Sequence, residues 1–194
     1  MNKNDELIRA FIAIELPEEI HEGLKKVQNE LKDDMRDVRW TKYGNVHLTL
    51  KFLGDTEAKK IDAIGKALQD IADSFSPFVI SLAGIGAFPN SRKPSVIWTG
   101  INKGVDETIR LANQIEKAME KFGFEREKRS FKPHLTIGRV REIKYPSELK
   151  ATLDNSNIGE IGKFTADRIS LIKSQLDPAG SIYTTLFEAS FKTE

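Results

Sequence analysis

Residues 47–50 of this chain spell HLTL, and residues 134–137 spell HLTI. These two nearly identical words contain two of the three histidines in the 194-residue sequence. In a β-strand, the side chains at positions i and i+2 lie on the same face of the sheet. Each word therefore predicts a strand that presents an imidazole and a hydroxyl side by side, while its Leu and Ile residues point into a core.

Both words occur within the same order of elements: strand, helix, strand. Strands are predicted where apolar residues alternate, and helices where apolar residues recur every three or four positions. In the first half these elements are residues 9–16, a helix that begins at Pro17, and residues 46–53; in the second half they are residues 95–101, 105–122 and 133–140. Phe11 lies 36 residues before His47 and Ile97 lies 37 before His134, which indicates a duplicated unit.

Further elements follow each unit. We expect a helix from about residue 57, a strand over 78–82, a loop over 84–94, a short helix after Pro146, and two longer strands around the turn 177–180. The predicted fold class is α+β, with residues 1–194 forming a single domain of two pseudo-symmetric lobes. Each lobe has a mostly antiparallel sheet and outer helices, and the two histidine strands face each other across a central cleft.

Composition limits the classes of function. The 30 basic and 29 acidic residues leave a formal charge of +1, which argues against an electrostatic grip on long nucleic acid but allows a local phosphate pocket. The absence of cysteine excludes disulfides, thiolate nucleophiles and iron–sulfur clusters, and makes a reducing cytoplasm the expected location. We find no signal-peptide pattern and no apolar run near the roughly 20 residues of a membrane span. No contact with membranes is therefore expected, and a monomer is the default expectation.

Two imidazoles and two hydroxyls brought together in the cleft suit the cleavage of a phosphodiester. A neutral histidine takes a proton from water, and a protonated one gives a proton to the departing sugar oxygen. The hydroxyls of Thr49 and Thr136 can hydrogen-bond the non-bridging phosphate oxygens. We expect no cofactor and no metal, because His47 and His134 lack carboxylates at the spacing of a metal site. The cleft is thus the predicted active site of a catalytic domain.

A single His-x-Thr word in a strand is usually only a half-buried hydrogen-bonded pair. Two copies at equivalent places in a duplicated unit favour the catalytic interpretation instead. The third histidine, His21, stands alone in a helix and is interpreted as a solvated surface residue.

Four further residues are candidates for binding substrate. Lys51 shares strand parity with His47 and Thr49, so it is predicted to face the same cleft if the strand stays regular. Arg139 has the wrong parity, and can reach the site only if its strand bends or bulges at Gly138. We prefer Arg139 as a phosphate contact.

Arg92, beside Lys93 on a Pro-flanked loop, fits an RNA backbone contact and a solvated rim equally well. Phe88 can stack on a base, although an aromatic residue beside a core strand more often packs.

The residues that carry a family resemblance are the two histidine words and several flanking segments. These segments are residues 9–14, 39–40, 47–54, 86–89, 96–98, 132–139 and 174–183. Together they resemble the two-histidine phosphoesterase superfamily, and within it the LigT-like RNA 2′,3′-cyclic phosphodiesterases, also called 2′-5′ RNA ligases.

The resemblance implies a bilobal fold with the histidines facing each other across a groove. It implies that His47 donates a proton, that His134 accepts one, and that Arg139 contacts phosphate. The implied reaction opens 2′,3′-cyclic phosphates at RNA ends, such as those of tRNA fragments, to 2′-phosphates. The residues alone leave open which histidine is the donor and which product forms.

Several alternatives remain at this stage. The substrate can be a small cyclic nucleotide phosphate, and the reverse reaction, 2′-5′ RNA ligation, uses the same groups. A different class is a non-catalytic module that binds RNA 3′ ends, although binding alone favours permanently charged Arg or Lys. A two-histidine metal site is a third hypothesis, and it predicts loss of activity in chelator.

Overall fold

Strands and helices alternate along the chain in the computed structural model, which describes residues 6–178 and 180–193. The strands are β1 (Leu7–Ile14), β2 (Val38–Trp40), β3 (Leu48–Glu57), β4 (Phe78–Phe88), β5 (Val96–Lys103), β6 (His134–Val140), β7 (Glu160–Ala166), β8 (Arg168–Asp177) and β9 (Gly180–Ser190). The helices are α1 (Glu18–Leu31), α2 (Ile61–Ala72), α3 (Val105–Met119) and α4 (Pro146–Asn155). The predicted 177–180 turn includes Ala179, which lies outside the described residues.

The strands form two antiparallel sheets. The first has the order β3-β1-β8-β9, and the second has the order β2-β6-β5-β4-β7. In each sheet, the strand that carries a histidine word pairs with the strand that opens the same unit: β3 with β1, and β6 with β5. The predicted α+β fold with antiparallel sheets and repeated units is confirmed.

The two halves of the chain exchange elements. Strands β8 and β9 of the second half lie in the first sheet, whereas β2 and β4 of the first half lie in the second sheet. Helix α1 packs against β7, so a helix of the first half covers the second sheet. One continuous cluster of buried apolar side chains joins both sheets and includes Ile12, Leu48, Ile97 and Leu135.

Strand β1 is buried on both faces. Ile12 and Ile14 point into the large core, as their alternation predicts, while Phe11 and Ala13 form a smaller cluster with Ile172. This smaller cluster brings an apolar surface to the side of the sheet on which the first histidine lies.

Strand β4 departs from the prediction. It continues through residues 84–88, which were expected to form a loop, because Gly86 and Phe88 pair with β5. A Cβ atom on Gly86 would lie 2.3 Å from the indole of Trp98, so glycine allows that ring to lie against the strand. Among the described residues, no helix is long and apolar enough to cross a bilayer.

Candidate active site

His47 directly precedes β3, in an aromatic setting. Its ring stacks on Phe11 with the centroids 4.5 Å apart and the planes at 26°, and it meets the Tyr183 ring edge-on at 5.2 Å. The ring is hydrogen-bonded to the backbone of Asn45, whose side-chain Nδ2 donates to the carbonyl of Ser181 at 2.9 Å. The loop that carries His47 is thereby attached to β9.

The pKa of His47 is lowered from 6.5 to about 4, chiefly because burial penalises the imidazolium. The hydrogen bond to the backbone of Asn45 raises the pKa, and the positive charge of His21 lowers it further, but burial prevails. His47 is therefore neutral at neutral pH in the free protein.

His134 opens β6 and is held in a similar way. Its Nδ1 lies 2.7 Å from the carbonyl oxygen of Lys132. A carbonyl only accepts hydrogen bonds, so this contact places the proton on Nδ1 and leaves Nε2 for substrate. The ring meets Phe88 edge-on at 4.9 Å and lies 6.4 Å from Trp98. In both words the imidazole is thus hydrogen-bonded to the backbone two residues earlier.

Both histidine strands carry a bulge after the threonine. In β3, Thr49 pairs with Ala13 and Lys51 with Ile12, which leaves Leu50 unpaired. In β6, Thr136 pairs with Trp98 and Gly138 with Ile97, which leaves Ile137 unpaired. A bulge of one residue reverses the alternation of the side chains that follow it, so each of them points to the other face of the sheet. The fifth residue after each histidine therefore returns to the histidine face.

These fifth residues are Phe52 and Arg139. Phe52 is 69% exposed, and its ring lies 6.0 Å from that of Phe11, on the His47 side. Arg139 is exposed, as expected if β6 bulges near Gly138. The carbonyl oxygen of Ile137 in the bulge accepts hydrogen bonds from Gln28 Nε2 at 3.0 Å and from the backbone N–H of Thr41 at 2.9 Å.

The predicted orientation of Lys51 is wrong. The bulge at Leu50 turns its side chain away from the face of His47 and Thr49, and Lys51 is only 6% exposed. Its Nζ donates to Glu116 Oε2 at 2.7 Å and to the carbonyl of Glu125 at 3.0 Å. A role in binding phosphate would require this buried ion pair to break.

Two ranges, residues 14–98 and 100–183, match the family model described as "LigT like Phosphoesterase". Each range contains one histidine word. The chain belongs to the LigT-like phosphoesterase family.

Individual LigT-like proteins resemble the chain over nearly its whole length. The RNA 2′,3′-cyclic phosphodiesterase of Methanothermobacter thermautotrophicus is 34% identical over 180 residues, which cover 92% of this chain and 96% of that protein. The crystal structure of TT0787 from Thermus thermophilus is 25% identical with a TM-score of 0.81, covering 96% of this chain and 100% of that one. E. coli LigT, solved in complex with 3′-AMP, is 26% identical with a TM-score of 0.78, covering 97% of this chain and 100% of that one. The resemblance inferred from the sequence is confirmed.

The other predicted residues of this LigT-like protein are placed as follows. Thr49 and Thr136 are half-buried, and neither hydroxyl has a hydrogen-bond partner within the described part of the chain. Phe88 contacts the His134 ring and that of Trp98. Arg92 is exposed on the loop after β4, beside Asp154.

His21 contradicts the prediction of a solvated residue. It is 9% exposed, and its ring centroid lies 5.7 Å from that of Tyr43. Burial lowers the pKa of its imidazole. The helical pattern places Ile20 and Leu24 in the core, but it does not show that Tyr43 covers the neighbouring position.

Three aromatic residues of the site were not predicted as functional. Phe11 and Tyr183 enclose His47, and Trp98 lies between Gly86 and Phe88 in the second sheet. The indole Nε1 of Trp98 is buried without a hydrogen-bond partner among the described residues. The sequence did indicate the position of Phe11, because strand alternation places it on the face opposite to Ile12 and therefore outside the large core. Tyr183 ends the segment 174–183 that contributes to the family resemblance, but no local pattern places it beside His47, because it reaches the site from a distant strand.

Groups of three or more His, Asp or Glu side chains positioned to hold a metal ion do not occur within residues 6–178 and 180–193. Two open depressions on the surface, one along α3 and one between the end of α1 and α4, contain no histidine. The chemistry of the histidine words, rather than concavity, identifies the candidate site.

Proposed function

We propose that this LigT-like phosphoesterase hydrolyses RNA 2′,3′-cyclic phosphodiester ends to 2′-phosphomonoesters by metal-independent catalysis with His47 and His134. The observation that carries the proposal is the repeated arrangement of the two words. Each imidazole is hydrogen-bonded to the backbone two residues before it and is followed by a threonine on the same strand face. The relative from M. thermautotrophicus bears the name of this activity. In this proposal both lobes act as one catalytic domain.

In the proposed reaction, His134 accepts a proton from water as the water oxygen attacks phosphorus. The bond from phosphorus to the 3′ oxygen breaks, and His47 gives its proton to that oxygen. The product is a 2′-phosphate beside a free 3′-hydroxyl. One histidine has gained a proton and the other has lost one, so exchange with solvent restores the starting state.

The apolar surroundings of His47 fit the role of acid only with substrate bound. In the free protein its pKa of about 4 leaves it neutral at neutral pH. A phosphodiester bound beside the ring adds a negative charge, which raises the pKa and favours the imidazolium. We propose that Thr49, Thr136 and Arg139 bind the non-bridging oxygens, where negative charge grows during attack.

The same groups catalyse the reverse reaction by microscopic reversibility, so 2′-5′ RNA ligation is a secondary proposal. In dilute water hydrolysis should dominate. We further propose that the protein is a cytoplasmic monomer that takes part in RNA processing on ends such as those of tRNA fragments.

The test uses pure protein, excess chelator, and an oligoribonucleotide with a 2′,3′-cyclic phosphate. We expect a 2′-phosphate product, and we expect His47→Ala and His134→Ala each to lose on the order of 10²–10⁴ in rate. Thr49→Ala and Thr136→Ala should lose less. The matched control is His21→Gln, which removes the third histidine and should retain activity.

Other outcomes assign the protein to other classes. A cyclic end that is bound and protected indicates a binding module, and loss of activity in chelator indicates a metal site. Hydrolysis confined to small cyclic nucleotide phosphates would make these compounds, rather than RNA ends, the substrate class. Efficient joining with negligible hydrolysis makes the protein a ligase.

A further inference from the structure

We propose that Arg39 binds the phosphodiester one nucleotide upstream of the cyclic phosphate, so that the enzyme favours RNA ends of two or more nucleotides over mononucleotides. Arg39 and Arg139 are the residues that carry this inference, which rests on the proposed function. The role differs from the reaction itself, because the bound phosphate takes no part in bond cleavage.

Strand pairing places Arg39 beside Arg139. In the antiparallel ladder of β2 and β6, Arg39 lies directly opposite Arg139, and on the other side of β6 Arg139 lies opposite Val96. Val96 in turn pairs with Phe88. Residues directly opposite in antiparallel strands share a face. Four neighbouring strands thus contribute one row across the second sheet, which ends in two arginines.

This row lies on the same face as the candidate site. Val38 and Val140 are buried on the other face, and a Cβ atom on Gly138 would lie 2.4 Å from Val38 Cγ1. Alternation along β2 then turns Arg39 to the opposite side, where it is exposed. Because the bulge at Ile137 turns Arg139 to that side as well, both guanidiniums extend from the face that presents Thr136.

Neither guanidinium is paired with a carboxylate of residues 6–178 or 180–193. Across the described residues, Arg39 and Arg139 form no ion pair, side-chain hydrogen bond or cation–π contact. Arg36, only three residues before Arg39, differs: it lies 3.6 Å from Glu148 and sits over the Tyr145 ring. Like charges opposite each other in a ladder repel, and an anion between them relieves the repulsion. Guanidinium groups bind phosphate oxygens in a bidentate manner, which makes phosphate the matching anion.

The two arginines lie at different distances from the histidines, so we assign them different phosphates. Arg139 lies roughly 7 Å along β6 beyond Thr136, within reach of a phosphate bound at the histidines. Arg39 lies one strand further out, roughly 5 Å to the side. Trp98 lies on β5 and Phe88 on β4, so within the sheet β6 separates both aromatic residues from Arg39 on β2. A terminal base placed against those rings leaves the upstream backbone to run along the arginines.

The experiment compares kcat/KM on adenosine 2′,3′-cyclic phosphate and on the dinucleotide ApA with a 2′,3′-cyclic phosphate end. We expect the wild type to prefer the dinucleotide. Arg39→Gln should lower kcat/KM on the dinucleotide by about tenfold or more, and by a several-fold smaller factor on the mononucleotide. Arg36→Gln removes the same charge from the same segment and should preserve the ratio.

A second measurement distinguishes a loss of phosphate binding from misfolding of the variant. Inhibition by the product ApA 2′-phosphate, compared with 2′-AMP, should weaken selectively in Arg39→Gln, and it should become less sensitive to salt. Arg39→Lys should recover part of the loss.

Equal losses on the mononucleotide and the dinucleotide would overturn the inference, since Arg39 would then act at the reacting phosphate. The inference would also be overturned if the wild type showed no preference between the two substrates and Arg39→Gln did not change kcat/KM on either. If the wild type hydrolyses neither substrate, the proposed function itself fails and the subsite falls with it.

Discussion

His47 and His134 share a backbone hydrogen-bond pattern but differ in their surroundings. His47 lies between the ring faces and edges of Phe11 and Tyr183, with Phe11 only 3% exposed. The Nδ1 of His134 is hydrogen-bonded to the carbonyl of Lys132, and Phe88 contacts the ring at its edge. An imidazolium that forms against Phe11 is poorly solvated, and it therefore releases its proton readily to a leaving oxygen.

We predict that His47 titrates with a midpoint near pH 4 in the free protein. Bound 2′-AMP should raise this pKa toward neutrality, because the phosphate charge favours the imidazolium. The measurement is an NMR titration of the imidazole protons, which only three histidines supply. Spectra of His47→Ala and His134→Ala assign the signals. A midpoint near 6.5 without ligand would contradict the desolvated setting.

The same burial makes the stability of the fold depend on pH. The pKa of His47 is about 4 in the folded chain against 6.5 in the unfolded one, so between these values the unfolded chain binds more protons. The contribution of His47 to the free energy of unfolding is therefore greatest above pH 6.5 and falls toward pH 4, by about 3 kcal/mol. Burial of His21 acts in the same direction.

We predict that His47→Gln flattens this dependence in urea unfolding curves between about pH 6.5 and 4.5. Carboxylates with lowered pKa values, such as Glu57, add their own loss of stability only below that window. The pKa of Glu57 is lowered from an ordinary value of 4.5, so this group titrates below the window. A variant whose stability changes with pH as steeply as the wild type would show that His47 is solvated.

At the scale of elements, two bulges decide which side chains share a strand face with each histidine. Next to the bulge in β6 lies Gly138, where an added Cβ atom would lie 2.4 Å from Val38 Cγ1 on β2. We predict that Gly138→Ala separates β2 from β6, lowers the free energy of unfolding by about 1–3 kcal/mol, and weakens the preference for dinucleotide substrates. The matched control is Gly159→Ala, because nothing lies within 4 Å of its added Cβ. Equal stability of the two variants would contradict the close approach.

Periodicity predicted these elements well and the bulges poorly. The alternation of Phe11 and Ile12 showed correctly that β1 has two apolar faces, and the helices follow their apolar stripes. A bulge adds one residue without changing composition, so strand parity placed Lys51 in the cleft and left Phe52 out. Gly138 was the one visible signal, and it indicated that β6 can bulge there and turn Arg139 to the face of His134. No comparable signal marks Leu50.

At the scale of the whole molecule, the site needs strands from both halves. The repeated words predicted that two similar units face each other, and the two matched ranges of the family model support this view. The exchange of β2, β4, β8 and β9 between sheets was not predictable, because which sheet a strand joins depends on contacts distant in sequence. For the same reason, Tyr183 and Arg39 could not be assigned to the site from local pattern.

The buried ion pair of Lys51 and Glu116 joins the halves directly, since Lys51 lies in β3 and Glu116 in α3. The two side chains are only 5% and 14% exposed, and Lys51 also donates to the carbonyl of Glu125. Removing one partner leaves a largely buried charge without its opposite charge, whereas replacing both with apolar residues removes both charges.

We therefore predict that Lys51→Met lowers the free energy of unfolding by about 3–5 kcal/mol, and that Lys51→Met with Glu116→Leu recovers most of it. The matched control is Lys150→Met, which removes the exposed pair with Asp154 on α4 and should cost less than about 1 kcal/mol. Urea unfolding of the wild type and these three variants provides the comparison. If Lys51→Met costs no more than Lys150→Met, the lysine is not held in a desolvated pair, and it becomes available to the cleft after all.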